Sequence, residues 1–181
     1  TGHTITGTGV ETGNTITVTG GTHNITIENV NISTGDCAFS IANGADVKLT
    51  LSGTNTLKSG SRCAGLQVPN GATLTITETS DGSRLEATGG YYSAGIGGGY
   101  YSGCGNITIK GGVVTATGGD WSAGIGGSIN SSGGTITIEG GTVTATGGGR
   151  GAGIGGGDGG SGGTITISGG TVTAIGGGST G

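Results

Sequence analysis

The side chains best suited to binding a ligand recur at one place in the sequence, two residues before the alanine of a repeated Ala-Gly pair. These residues and their neighbours are Arg62, Tyr91, Tyr92, Asp120, Trp121 and Arg150. Exposed aromatic faces bind the apolar C–H face of a sugar ring, while charged groups bind its hydroxyls. The pattern predicts contact with a polysaccharide or cell-surface glycan. The alternative is that the ladder only stabilises the protein, by about 0.5–1 kcal/mol per contact.

Two further tyrosines, Tyr100 and Tyr101, form a second candidate cluster, and Ile129 follows Tyr100 by 29 residues. These side chains could widen the same carbohydrate surface. They could equally cap a corner of the fold, and the sequence leaves both interpretations open.

Residues that could catalyse a reaction or bind a metal are scattered. Enzymes of the polysaccharide-lyase type hold calcium with stacked carboxylates, since this ion takes roughly six to eight oxygen ligands. Lys110 and Ser168 stand 29 residues before and after Glu139, so no column of acids forms. His3 and His23 have no cysteine or third histidine near them. We expect no enzyme activity, metal site or cofactor, with a lyase-like enzyme as the less favoured alternative.

The elements that position these residues follow a repeat. The motif Ala-Thr-Gly-Gly begins at Ala87, Ala116 and Ala145, and Ala-Ile-Gly-Gly begins at Ala174, each 29 residues after the last. Each repeat holds three short segments of alternating apolar residues and threonines, which are typical of strands. No segment between glycines is long enough to form the helix of a leucine-rich or ankyrin repeat. The pattern predicts an all-β fold, a right-handed parallel β-helix of about six coils with three strands per coil.

Stacked coils place residues 29 apart over one another and so predict four internal columns. These columns are Ile96, Ile125 and Ile154; Ile107, Ile136 and Ile165; Ile109, Ile138 and Ile167; and Val114, Val143 and Val172. We expect one domain over residues 1–181, with an irregular N-terminal coil at 1–37, divergent coils at 38–86 and regular repeats at 87–181. The irregular stretch at 78–86 is predicted to be a corner loop.

The threonines that face water suggest a different function. Thr135 and Thr137 would lie beside Thr164 and Thr166, giving flat Thr-x-Thr arrays like those of ice-binding solenoids. Threonine is also simply a good strand residue on a solvated face. Ice binding is therefore kept as an alternative function.

The three cysteines are odd in number. Cys37 and Cys63 each precede the alanine of an Ala-Gly or Ala-Phe pair, so they should lie on adjacent coils about 4.8 Å apart. That separation suits a disulfide. Cys104 would then stay free or pair between chains. The alternative is that all three are reduced.

Composition excludes several classes of protein. With 50 glycines and 32 threonines, the chain has too little bulky apolar material for a helical bundle or a doubly wound fold. A net charge of -4 and six Lys and Arg residues argue against nucleic-acid binding. No apolar run is long enough to insert into a membrane. Because the chain begins with Thr1 and contains no methionine, we expect a processed or excised piece of a secreted protein.

The recurring AGIGGG followed by GGTITIxGGTVTATGG resembles the β-helical repeats of large secreted bacterial surface proteins, which are often grouped with carbohydrate-binding modules and share the pectate-lyase-like superfold. The resemblance covers about residues 36–181. It implies an extracellular, cell-surface location and a non-catalytic adhesive or structural role.

Two surfaces suggest self-association. The last coil has no polar cap, and bare strand edges recruit further strands, so copies could stack end to end into filaments. A second surface would consist of outward-pointing glycines at Gly124, Gly126, Gly153 and Gly155, because a wall without side chains lets another backbone or a flat polymer approach. The sequence thus predicts a structural or adhesive module with carbohydrate contact.

Overall fold

Residues 2–178 are described by a computed structural model, in which 19 strands form three parallel sheets and no helix occurs. The first sheet contains β1 (Gly2–Thr6), β3 (Gly21–Glu28), β6 (Ala45–Ser52), β9 (Thr73–Glu78), β12 (Asn106–Ile109), β15 (Thr135–Ile138) and β18 (Thr164–Ile167). The second contains β4 (Asn31–Ser33), β7 (Thr54–Lys58), β10 (Arg84–Thr88), β13 (Val113–Thr117), β16 (Thr142–Thr146) and β19 (Thr171–Ile175). The third contains β2 (Ile16–Val18), β5 (Phe39–Ile41), β8 (Leu66–Gln67), β11 (Ile96–Gly97), β14 (Ile125–Gly126) and β17 (Ile154–Gly155).

One strand from each sheet makes one coil, and every strand pairs in parallel with the strands one coil away. The chain is therefore a three-sided parallel β-solenoid, as predicted. Neighbouring coils exchange backbone hydrogen bonds, so the sheets run along the axis while the chain winds around it. Among the described residues, no helix is long and apolar enough to cross a membrane.

The four predicted internal columns are confirmed by the strand register. Ile107 pairs with Ile136 and Ile136 with Ile165, and the other three columns are aligned in the same way. In the middle coils these side chains are fully buried, as Ile136 and Val143 illustrate with 0% exposure. Each contributes about 1.5–3 kcal/mol on burial. The intervening threonines alternate to the outside because successive strand residues point to opposite faces.

One buried polar side chain interrupts the apolar columns. Asn55 is 0% exposed and takes the position that Leu85 fills in the next coil. Its carbonyl accepts a hydrogen bond from the Val30 backbone N–H at 3.0 Å, and its amide donates to the carbonyls of Ser52 and Arg84 at 3.0 and 3.2 Å. Asn55 thus joins three successive coils.

The glycines of the third sheet are not an outer wall, so the prediction that Gly124, Gly126, Gly153 and Gly155 point outward is wrong. All four are buried. Gly126 has a φ of +136°, and a Cβ built on it would collide with the backbone of Gly155 in the next coil. These positions are glycine because the coils approach too closely there for any side chain.

The corner loop predicted at 78–86 is shorter in the structure. Residues 84–88 form β10, with Leu85 fully buried in the column of Val114. The sequence Arg-Leu-Glu alternates polar and apolar residues as a strand does, and burial of the leucine places it in the second sheet.

The two ends of the solenoid expose apolar side chains. Ile165 and Ile167 belong to internal columns, yet they are 41% and 53% exposed because no coil covers β18. At the other end a groove inside the first coil is lined by Ile5, Val10 and Ile16, among other residues.

Cys37 and Cys63 form a disulfide between adjacent coils, with Cα atoms 5.0 Å apart. Cys104 is free and buried. Its burial corrects the expectation that it could pair between chains, because a second chain cannot reach it. The same burial raises the pKa of the Cys104 thiol to about 12.

Candidate functional site

The candidate binding residues lie on the two corners that flank the short third sheet. Arg62, Tyr92 and Trp121 occupy equivalent positions on successive coils, where the chain leaves the second sheet. Their φ angles are +72°, +64° and +64°. This left-handed conformation normally favours glycine, and it costs other residues about 1–2 kcal/mol.

Backbone hydrogen bonds between coils hold these corners in place. The N–H of Arg62 donates to the Tyr91 carbonyl at 3.0 Å. The Arg62 carbonyl in turn accepts a bond from the Tyr100 N–H, also at 3.0 Å. Two coils further along, the Trp121 carbonyl accepts the equivalent bond from the Asp158 N–H at 2.9 Å. The opposite corners are thereby tied together across the third sheet.

Five aromatic side chains form one continuous group, which we call the aromatic cluster: Tyr91, Tyr92, Tyr100, Tyr101 and Trp121. Tyr92 is its centre, with ring centroids 4.9 Å from Trp121, 4.0 Å from Tyr91 and 5.7 Å from Tyr100. The cluster extends outward from Tyr100 to Tyr101 over a centroid distance of 4.3 Å.

The cluster is open to solvent. Tyr91, Tyr100 and Tyr101 are 46%, 37% and 57% exposed, and Tyr92 and Trp121 are half-buried beneath them. Exposed aromatic faces of this kind can pack against a flat apolar surface of a ligand.

Tyr100 and Tyr101 lie on the same surface as Tyr92 and also occupy a corner of the fold. Tyr101 also has a left-handed backbone, with φ of +52°. The equivalent corners of neighbouring coils carry Gly71, Asn130 and Gly159, residues that adopt this conformation more easily. A bulky ring at this corner is therefore a departure from the local pattern.

The arginines do not form the predicted continuous ladder. The Arg62 guanidinium lies 5.0 Å from the ring centroid of Tyr100, on the opposite corner, instead of continuing the column to Tyr92. Arg150 pairs with Asp158 at 3.9 Å and makes no cation–π contact with Trp121 within residues 2–178. The expected stacking of Trp121 between a tyrosine and an arginine is wrong, because both cations find partners on the other corner. Asp120 is exposed beside Trp121.

The pKa values of two tyrosines of the cluster, Tyr92 and Tyr100, are raised, so their hydroxyls stay protonated at ordinary pH. Interaction of its hydroxyl with that of Tyr91 raises the pKa of Tyr92, and partial desolvation adds to the shift. Desolvation is the larger cause of the raised pKa of Tyr100, followed by its interaction with Tyr101. Neutral phenols can both donate and accept hydrogen bonds, which suits the hydroxyls of a sugar.

The remaining candidate residues lie away from this cluster. Lys110 and Glu139 are neighbours on the first sheet and form an exposed ion pair at 3.3 Å, as their 29-residue spacing implies. A ring nitrogen of His23 lies 3.3 Å from the Gly20 carbonyl oxygen. Within the described part of the chain, no three His, Cys, Asp or Glu side chains converge on a point where a metal could bind.

The outward threonines align as the sequence predicts. Thr108, Thr137 and Thr166 are in register on the first sheet, and Thr115, Thr144 and Thr173 on the second. Thr75 extends the first of these columns to a fourth coil. The interruption at Asn106 falls in the neighbouring outward column, between Thr73 and Thr135.

Comparisons with known proteins bear on the repeat. A family model described as "Beta helix repeat" matches residues 81–100, 107–129, 136–158 and 161–181. Searches of curated proteins and of solved structures found no match. The matched segments follow the coils of the solenoid one after another, so the C-terminal half of the chain carries beta helix repeats and the described chain as a whole is a parallel β-solenoid.

Proposed function

We propose that this chain is a non-catalytic, extracellular structural or adhesive module that contacts carbohydrate through its aromatic cluster. The observation that carries the proposal is that bulky rings occupy left-handed corner positions within a cluster whose outer rings are open to solvent. Tyr92, Trp121 and Tyr101 all have φ between +52° and +64°.

Backbone strain of this kind is retained at functional sites more than elsewhere. At the corner of Tyr101, Gly71 and Gly159 make the same turn in other coils without strain. Stabilisation of the fold is therefore a weaker explanation for Tyr101 than an external ligand. Tyr92 and Trp121 share their own corner position with Arg62, which has the same left-handed backbone.

The chemistry of the cluster also suits a sugar. Tyr92 and Trp121 offer adjacent ring faces, and the neutral tyrosine hydroxyls can bond to sugar hydroxyls. The Arg62 guanidinium supplies further donors at one border, and the exposed Asp120 supplies acceptors at another.

The test is a glycan array probed with the intact chain and with Trp121→Gly, which removes the indole and suits the left-handed backbone. Loss of one stacked ring should lower affinity about fivefold or more. Val113→Ala is the matched control, since Val113 is an apolar residue on the outer face of the second sheet. Equal binding by all three proteins would show that the aromatic cluster is not the carbohydrate-binding site.

A further inference from the structure

We propose that the aromatic cluster binds a single, soluble glycan chain and not the flat surface of a crystalline polysaccharide. The inference rests on the carbohydrate contact proposed above and names the physical form of the ligand. It follows from the relative orientation of the five rings.

No two neighbouring rings of the cluster are coplanar. The interplanar angle is 41° between Tyr92 and Trp121 and 47° between Tyr92 and Tyr100. The angles of Tyr91 with Tyr92 and of Tyr100 with Tyr101 are 70° and 57°. A crystalline polysaccharide presents a plane, and a plane can lie flat against only one of these rings at a time.

A free glycan chain does not have this limitation, because each glycosidic linkage can rotate. The centroid steps from Trp121 to Tyr92 and from Tyr92 to Tyr100 are 4.9 and 5.7 Å, comparable to the length of one pyranose unit. Successive sugars of one twisted chain can therefore each stack on one ring. Tyr91, Tyr100 and Tyr101 are exposed and Tyr92 and Trp121 are partly exposed, so such a chain can approach the cluster from outside.

The arrangement of the rings also sets the path of the chain. Tyr92 and Trp121 lie on the same corner of adjacent coils, whereas Tyr100 lies on the opposite corner, across the third sheet. The line of rings bends at Tyr92 for this reason. The backbone bonds that join the two corners fix the positions from which the rings project, and so they hold the bend.

Affinity should rise with the length of a soluble chain until each accessible ring holds one sugar. Each added stacking contact is expected to raise the affinity about fivefold. Tyr100→Ala should lower the affinity for four-unit chains by about this factor. The affinity of this variant for two-unit chains should stay within twofold of that of the parent protein. Trp121→Gly should weaken both.

The experiment compares soluble and crystalline forms of the same polymers. Isothermal titration calorimetry measures binding of gluco-, chito-, manno-, xylo-, galacto- and uronate oligosaccharides of two to six units. Pull-down measures retention on microcrystalline cellulose and crystalline chitin. Val113→Ala serves as the control for Trp121→Gly and Tyr100→Ala, and circular dichroism checks the fold of all variants.

We expect the parent protein to bind soluble oligosaccharides in a way that depends on Trp121 and Tyr100. Its retention on the crystalline polymers should be no greater than the retention of Trp121→Gly. The inference would be overturned if the affinity for a crystalline polymer equalled or exceeded the affinity for its soluble oligomers and depended on Trp121. The proposed carbohydrate contact would remain valid in that case. Absence of binding to every soluble and crystalline probe would overturn the carbohydrate contact itself.

Discussion

The ring centroids of Tyr92 and Trp121 lie 4.9 Å apart although 29 residues of chain separate them. That distance is close to the spacing of about 4.8 Å between stacked strands. The contact therefore follows from the coil itself: each turn returns the chain to the same corner one strand higher. Both residues also share a left-handed backbone, so the corner is conformationally the same in the two coils.

The first prediction separates the strain at Trp121 from the packing of its side chain. Trp121→Gly and Trp121→Ala both remove the indole, but only glycine adopts a φ of +64° freely. We expect Trp121→Gly to be more stable than Trp121→Ala by about 1 kcal/mol. Urea denaturation measures the difference. Equal stabilities would mean that the backbone strain is not relieved by glycine.

The second prediction concerns Asn55, which bonds to three coils from a fully buried position. Asn55→Ala would leave the Val30 N–H without its partner and would remove the side-chain bonds to the Ser52 and Arg84 carbonyls. We expect a loss of about 2–4 kcal/mol in the free energy of unfolding, since each buried group left unsatisfied costs about 1–3 kcal/mol. Asn106→Ala, on the exposed outer face of β12, should change stability by less than about 0.5 kcal/mol. A small effect at Asn55 would show that water replaces its bonds.

The third prediction tests why the third sheet is rich in glycine. Gly126→Ala would drive a methyl group into the backbone of Gly155 and would also strain a φ of +136°. We expect strong destabilisation or failure to fold. Gly162→Ala is the matched control, because a Cβ there has nothing within 4 Å. Equal thermal midpoints for the two variants, measured by calorimetry, would contradict the close approach of the coils.

The fourth prediction is a pH dependence. The Cys104 thiol ionises near its ordinary pKa of 9.0 in the unfolded chain but only at about 12 in the folded one. Between these values the unfolded state releases a proton that the folded state keeps, so the free energy of unfolding falls as the pH rises from 9 towards 12. The slope is at most about 1.4 kcal/mol per pH unit.

Comparison with Cys104→Ala isolates the contribution of this thiol from that of every other group. The variant should lose less stability between pH 8 and 10 than the parent chain. A thiol reagent at pH 8 should label Cys104 only after unfolding. Rapid labelling of the native protein would show that the thiol is accessible.

The fifth prediction tests the alternative function of the threonine columns. If Thr108, Thr137 and Thr166 organise ice-like water, the chain should show thermal hysteresis, and Thr137→Tyr should abolish it by interrupting the column. Val113→Ala should leave hysteresis unchanged. Nanolitre osmometry measures the effect, and no hysteresis in the parent chain would end the ice-binding hypothesis.

Much of the architecture was predictable because residues that are one repeat period apart in the sequence are neighbours in space. The columns of Ile107 and Ile136, and the outward threonines between them, follow from the 29-residue spacing and the two-residue alternation of a strand. The adjacency of Cys37 and Cys63 follows in the same way. The burial of Leu85 was missed because its repeat is irregular and a charged stretch hides the alternation.

The candidate site was less predictable. The spacing indicates that Tyr92 and Trp121 are neighbours, since both lie along one column. It contains no information about distance across the third sheet, and so it could not place Arg62 over Tyr100 or Arg150 beside Asp158. It also misjudged Gly126, because alternation alone does not reveal how closely two backbones approach.

The amino-acid sequence by itself thus determined the coil, its register and its internal columns, because hydrophobic burial and strand pairing act between residues at a constant separation. The tertiary structure alone decided that five rings form one cluster and that their planes are tilted. The physical reason is that two corners meet across strands only two residues long, held by left-handed residues and by backbone bonds between coils. Their meeting depends on corner conformation and not on the period of the repeat.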